Sequence, residues 1–200
     1  MQVAVLLDAL PRQLELHLRK FSQRGAILPA MQQPTAGAIG TANWVKVDVL
    51  TPYQRLTAEM NLPRRMRETL NDPESLFHLR NVSAEPLLPG AVPLNGVPEG
   101  IFNKALIGGI RTIEPEPPAA DQVMETMRRY CMFQASEFMV TGFAEFAKAA
   151  SPEMHTEILL KGRFFQLFDA TITIIGVPGK SWTQANIWAN RDHMVGLFLG

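Results

Sequence analysis

The chain has 200 residues, 46% of them aliphatic, aromatic, Met or Cys, an ordinary globular share that excludes a mainly disordered protein. Nineteen basic residues balance nineteen acidic ones, so a general nucleic-acid binder held by phosphate contacts is not expected. The single cysteine, Cys131, excludes an intramolecular disulfide framework and a multi-cysteine metal site, and a reducing cytoplasm fits it best.

Residues 3–24 read as an amphipathic helix. Leu7, Leu10, Leu14, Leu18 and Phe21 recur at steps of three and four, and Gly25 is a plausible stop. The apolar opening Met1–Leu7 lacks a basic lead and meets Asp8 early, so no signal peptide is expected. No stretch approaches the ~20 apolar residues of a membrane span. Residues 29–43 are rich in Pro, Gly, Gln and Ala and read as a loop.

A first unit is expected over 44–113. Val45, Val47 and Val49 alternate with polar residues as a strand, and Leu56, Ala58 and Met60 as a second. Pro63 opens a short helix with Met66 and Leu70 on its inner face, and Asn71-Asp72-Pro73 ends it. Phe77, Leu79 and Val82 give a third strand, Pro86 to Gly100 an excursion, and residues 101–113 a fourth strand. A Pro-rich linker, 114–122, follows at Glu114-Pro115-Glu116-Pro117-Pro118.

The second unit, 123–200, repeats that order. Strands are expected over 130–134, 137–146, 164–175 and 187–199, with a helix from Ser151 to Leu160 and a short helix over 121–129 capped by Asp121. Phe77 to Val82 aligns with Phe165 to Ala170 at an offset of 88, Asn103-Lys104 with Asn190-Arg191 at 87, and Leu56 to Ala58 with Val140 to Gly142 at 84. Internal repetition of this kind weighs heavily in the choice of fold. The expected fold class is α+β: two tandem β-β-α-β-β units with pseudo-twofold symmetry, packed on each other over a shared core, preceded by the N-terminal helix. The motifs Phe77–Asn81, Asn103-Lys104, Phe165–Asp169 and Asn190-Arg191 resemble small β-rich domains of uncharacterised bacterial families. That resemblance implies a fold and no catalytic residue.

Catalytic motifs are not evident. None of the serines has the Gly-x-Ser-x-Gly setting of a nucleophile elbow. Gly179-Lys180-Ser181 lacks the glycine spacing of a phosphate loop and reads as a hairpin turn. His17, His78, His155 and His193 lack helical metal-site spacing, and Asp192 and His193 should point to opposite faces of a strand. Cys131, among Tyr130, Met132 and Phe133, reads as a small buried hydrophobe. No cofactor and no metal are expected.

Two surfaces stand out. Arg64, Arg65 and Arg67 crowd the first turn of a helix, where positive charge opposes the dipole, so they are candidates for binding a small anionic ligand. The competing reading is that these arginines are solvated or paired with Glu59, Glu68 or Asp72. Trp44, Phe165, Phe168 and Trp182 are candidates for a partner surface, because Phe165 and Phe168 cannot share one face of a regular strand. The expected function is a non-catalytic binding or scaffold protein, homodimeric or attached to a larger assembly through protein–protein contacts. The alternative is a ligand-sensing or regulatory domain that takes an anionic effector at Arg64–Arg67.

Overall fold

The computed structural model describes residues 43–114 and 125–200, all within one compact unit, Thr41–Gly200. The expected N-terminal helix, the loop up to residue 42, and residues 115–124 with most of the Pro-rich linker lie outside the described residues.

Ten antiparallel strands form one continuous sheet. They are β1 (Trp44–Leu50), β2 (Gln54–Asn61), β3 (Leu76–Pro86), β4 (Leu94–Asn103), β5 (Gly109–Thr112), β6 (Thr126–Gln134), β7 (Phe138–Ala147), β8 (Phe164–Ile174), β9 (Ser181–Asn190) and β10 (Gly196–Leu199). Two six-residue helices, α1 (Met66–Asn71) and α2 (His155–Leu160), link β2 to β3 and β7 to β8. The spatial order is β10-β6-β7-β8-β9-β5-β1-β2-β3-β4. Each half is therefore a five-stranded meander whose last strand returns beside its first, and the registers match position for position. Asp48 faces Thr57 as Met132 faces Thr141, and Phe77 faces Phe102 as Phe165 faces Ala189.

Local chemistry explains the strands. Alternating Val47 and Val49 on β1, and Leu56, Ala58 and Met60 on β2, are all buried. In each half the pairing of the second and third strands shifts at a bulge, between Thr57 and Glu59 and between Thr141 and Phe143. The third strands there adopt left-handed backbone at Asn81 (φ 53°) and Asp169 (φ 49°), residue types that tolerate it. Helix α1 buries Met66 and Leu70, and the extended backbone of Asp72 before Pro73 stops it.

These observations correct the expected fold. The described residues are dominated by a single antiparallel sheet, not an α+β pair of β-β-α-β-β units. Residues 101–113 are not one strand: β4 begins inside the supposed excursion, and a 3-10 turn, Lys104–Leu106, separates it from β5. Residues 187–199 divide likewise at the turn Arg191–His193, so Asp192 and His193 are not strand neighbours. Residues 126–129 extend β6 instead of forming a helix. Pseudo-twofold packing is also overturned, because among the described residues β5 with β9 is the one strand pairing between the halves. A closed twofold pair would also join β4 to β10, and these strands instead end the sheet.

The shared interior is replaced by two hydrophobic clusters. One draws on the second half, with Leu50 and Leu87 lent by the first. The other draws on the first half, with Phe164 and Trp188 lent by the second. Adjacent Phe164 and Phe165 thus serve different clusters from opposite sides of β8.

A buried ion cluster ties β5 and β2 to β1. Asp48 accepts from Arg55 Nη2 at 2.9 Å, from Arg111 Nη2 at 2.8 Å and Nε at 3.1 Å, and from Thr57 Oγ1 at 3.3 Å. Burial pushes this carboxyl up, but hydrogen bonds from Arg55 and Arg111 outweigh it and hold the group below its usual range. The unfolded chain therefore takes up this proton first on acidification. The contribution to stability is complete above about pH 4 and is lost as pH falls through the lower folded value. Chemical denaturation between pH 6 and pH 3 should show a smaller acid loss in Asp48→Asn than in the wild type.

Candidate functional site

The seam between the halves is short and is organised by one amide. Strands β5 and β9 pair at Gly109 with Ala189 and at Ile110 with Trp188, and Asn190 N donates to the Gly108 carbonyl at 3.0 Å. The Asn190 side chain is fully buried there. Its Nδ2 donates to the Lys104 carbonyl at 3.0 Å and the Ile107 carbonyl at 2.8 Å, while its Oδ1 accepts from Asp192 N at 3.0 Å. One residue thus caps its own 3-10 turn and satisfies two carbonyls of the neighbouring turn. Alongside, Asn71 Nδ2 donates to the Phe164 carbonyl at 3.1 Å and Asn71 Oδ1 accepts from Phe164 N at 2.9 Å.

The register equivalence carries the strand positions and the asparagine cap of this seam to the outer edges, but not the Asn71 clamp, since α2 holds no asparagine. Asn103 on β4 stands where Asn190 stands on β9, and its Oδ1 caps its turn in the same way, accepting from Ala105 N at 2.9 Å. Asn103 is exposed. Ile101, the counterpart of Trp188, is 72% exposed against 9%. Leu76, the counterpart of Phe164, is 49% exposed against 2%, and Met194, the counterpart of Ile107, 36% against 1%. Val195 and Phe198 are exposed as well. The apolar positions that the seam covers are repeated, still apolar, on edges that nothing covers among the described residues.

The edges also lack the usual guards where the seam is mirrored. Met194 to Gly200 contains neither a charge nor a proline. On β4, Gly96, Pro98 and Glu99 blunt the first part of the strand, a place where proline is tolerated only because it is an edge. The remainder, Gly100-Ile101-Phe102-Asn103, carries no such guard and is the stretch equivalent to Ile187–Asn190.

The residues singled out from sequence fall elsewhere. Arg64, Arg65 and Arg67 are exposed at the start of α1, and Arg64 Nη2 lies 3.2 Å from Asp72 Oδ2, one of the pairings weighed against an anion site. Phe165 is buried in the core of the second half and presents no surface. Trp44, Phe168 and Trp182 are half-buried, each with a guanidinium over its ring: Arg80 at 4.1 Å, Arg128 at 5.2 Å and Arg55 at 5.3 Å. The four do not converge on one patch. Trp44 with Arg80, and Arg128 with Phe168, occupy equivalent positions with the aromatic and the cation exchanged.

Other reactive groups are engaged in structure. Lys104 is buried, its Nζ donating to Asp72 Oδ1 and to the Thr69 carbonyl at 2.9 Å, at the C-terminal end of α1. His155 is buried, stacked on Phe146 at 3.9 Å with its Nδ1 3.2 Å from Arg129 Nη1. Burial pushes the Cys131 thiol up to about 12, which leaves the reactive thiolate scarce at neutral pH. The cavity lined by Asp48, Arg55, Trp182 and Gln184 offers about 10 Å³, room for one water and not for an organic effector. Among the described residues no group of His, Cys, Asp and Glu is placed to hold a metal, and no helix is long and apolar enough to cross a membrane.

No protein-family model, curated protein or solved structure matches this chain. The recurrence of Asn103-Lys104 as Asn190-Arg191 was visible in the sequence, but that one asparagine would be buried and the other exposed was not.

Removing the buried amide should be costly and removing the exposed one cheap. Asn190→Ala strands the Ile107 carbonyl and removes one of two donors from that of Lys104, which still accepts from Ile107 N, and should lower unfolding free energy by about 1–3 kcal/mol in a denaturant titration. In dilute protein Asn103→Ala loses only an exposed cap, about 1 kcal/mol or less.

Proposed function

We propose that this protein is a non-catalytic scaffold module that acts through protein–protein contacts made by its sheet edges. The observation that carries the reading is the pair of unguarded apolar edge stretches, β4 from Gly100 onward and β10, which repeat the covered seam between β9 and β5. Support also comes from the buried ionisable groups, since Asp48, Lys104 and His155 are each satisfied by structural partners. A backbone edge is a template for another strand, and main-chain hydrogen bonds with apolar side chains give such contacts their affinity. The same reading takes the chain to act in the cytoplasm, as its lone cysteine favours.

Charging both edges tests it. The double substitution Ile101→Glu and Phe198→Glu alters exposed side chains, so the melting temperature should stay within about 2 °C of wild type. Gel filtration of extract from cells that make the protein should show the wild type in a complex and the variant released from it. A complex that survives with both edges charged contradicts the scaffold reading.

A further inference from the structure

We infer that the partner of each edge is a second copy of this chain, with β4 of one copy pairing antiparallel to β10 of the next in the register of the internal seam. The inference rests on the scaffold reading and names its partner. The seam between β5 and β9 is heterologous: the closing strand of one meander joins the fourth strand of the other, unlike edges in contact. A heterologous contact uses one edge of each unit and leaves the other free, so the same joint is available again at both ends. The free edges here are a fourth strand, β4, and a closing strand, β10, the same two partners that meet inside the chain.

Register equivalence specifies the intermolecular pairs. Gly109 with Ala189 becomes Gly196 with Phe102, and Ile110 with Trp188 becomes Leu197 with Ile101. The Asn103 Nδ2 then meets the carbonyls of Arg191 and Met194, as Asn190 meets those of Lys104 and Ile107. Sizes are exchanged in a compensating way. A Cβ on Gly108 would lie 2.6 Å from the Phe138 ring, so that site needs glycine. The counterpart of Gly108 is Val195 and that of Phe138 is Gln54, a smaller and more flexible neighbour. Likewise a Cβ on Gly109 would meet Ile187 at 2.7 Å, whereas Gly196 would face Gly100. Both sites therefore stay within reach of the same backbone spacing. Two copies joined at both edges close on themselves, and larger rings or filaments use the same joint.

The test uses the full chain. Light scattering across a concentration series should give a mass that is a multiple of 22.3 kDa, and Ile101→Glu should return it to a single chain with unchanged circular dichroism. Independently, Ile101→Cys combined with Leu197→Cys should form an interchain disulfide under mild oxidation. Directly opposed strand residues lie within disulfide reach. Either single cysteine variant should stay uncrosslinked, since native Cys131 is buried. A single-chain mass at every concentration overturns self-pairing, and so does an oligomer that Ile101→Glu leaves intact and the cysteine pair fails to link. A single-chain mass combined with loss of the native complex on charging the edges overturns self-pairing alone and leaves the scaffold reading standing.

Discussion

Asn190 sits at the one place where the sheet passes from one half of the chain to the other, and the continuity of ten strands depends on how its amide is used. A seam with only two residue pairs leaves several backbone groups near its ends without a ladder partner. The side chain supplies what the ladder lacks: two donated bonds across the seam and one accepted bond within its own turn. Its complete burial makes these bonds count, because an unmade bond in that setting costs the full desolvation of the group. Around it, Phe164 and Trp188 cross into the neighbouring cluster, so packing and hydrogen bonding fix the same geometry.

The rest of the architecture follows from a joint between unlike edges. Two meanders joined at one pair of unlike edges leave one edge of each free, and here β4 and β10 stand at the margins of the sheet. Natural edges are usually blunted by charge or proline. Here the blunting stops where equivalence with the covered seam begins, at Gly100 on β4, and β10 has none. A stretch that repeats the side-chain plan of a buried joint while facing outward is the basis of the proposed assembly.

The sequence showed the parts of the fold that depend on local periodicity. Alternating valines gave β1, the Met66 and Leu70 spacing gave α1, and the offset matches anticipated the paired positions of Phe77 with Phe165 and Asn103 with Asn190. Strand endings were harder. Leu94 to Gly100 carries Gly96 and Pro98 and reads as a loop, though both residues are compatible with a strand that has only one neighbour. The polar opening of β6, Thr126 to Arg129, likewise carries no apolar alternation to mark it as strand. The joint itself was illegible, because period-two patterns say which face is buried and not which edge meets which. The expected α+β pair over a shared core failed for that reason. The candidate site was missed too. Large aromatics such as Trp44 and Phe168 drew notice, while their exposure is taken up by guanidinium stacking and the uncovered apolar positions are Ile101, Met194 and Val195.

Amide hydrogen exchange, followed residue by residue at several protein concentrations, reads the proposed joint without altering the chain. The account predicts that the outward-facing amides of Ile101, Asn103 and Leu197 become slowly exchanging in concentrated protein, approaching their counterparts Trp188, Asn190 and Ile110, and lose that protection on dilution. Fast exchange of both edges at every concentration, beside a protected internal seam, would contradict it.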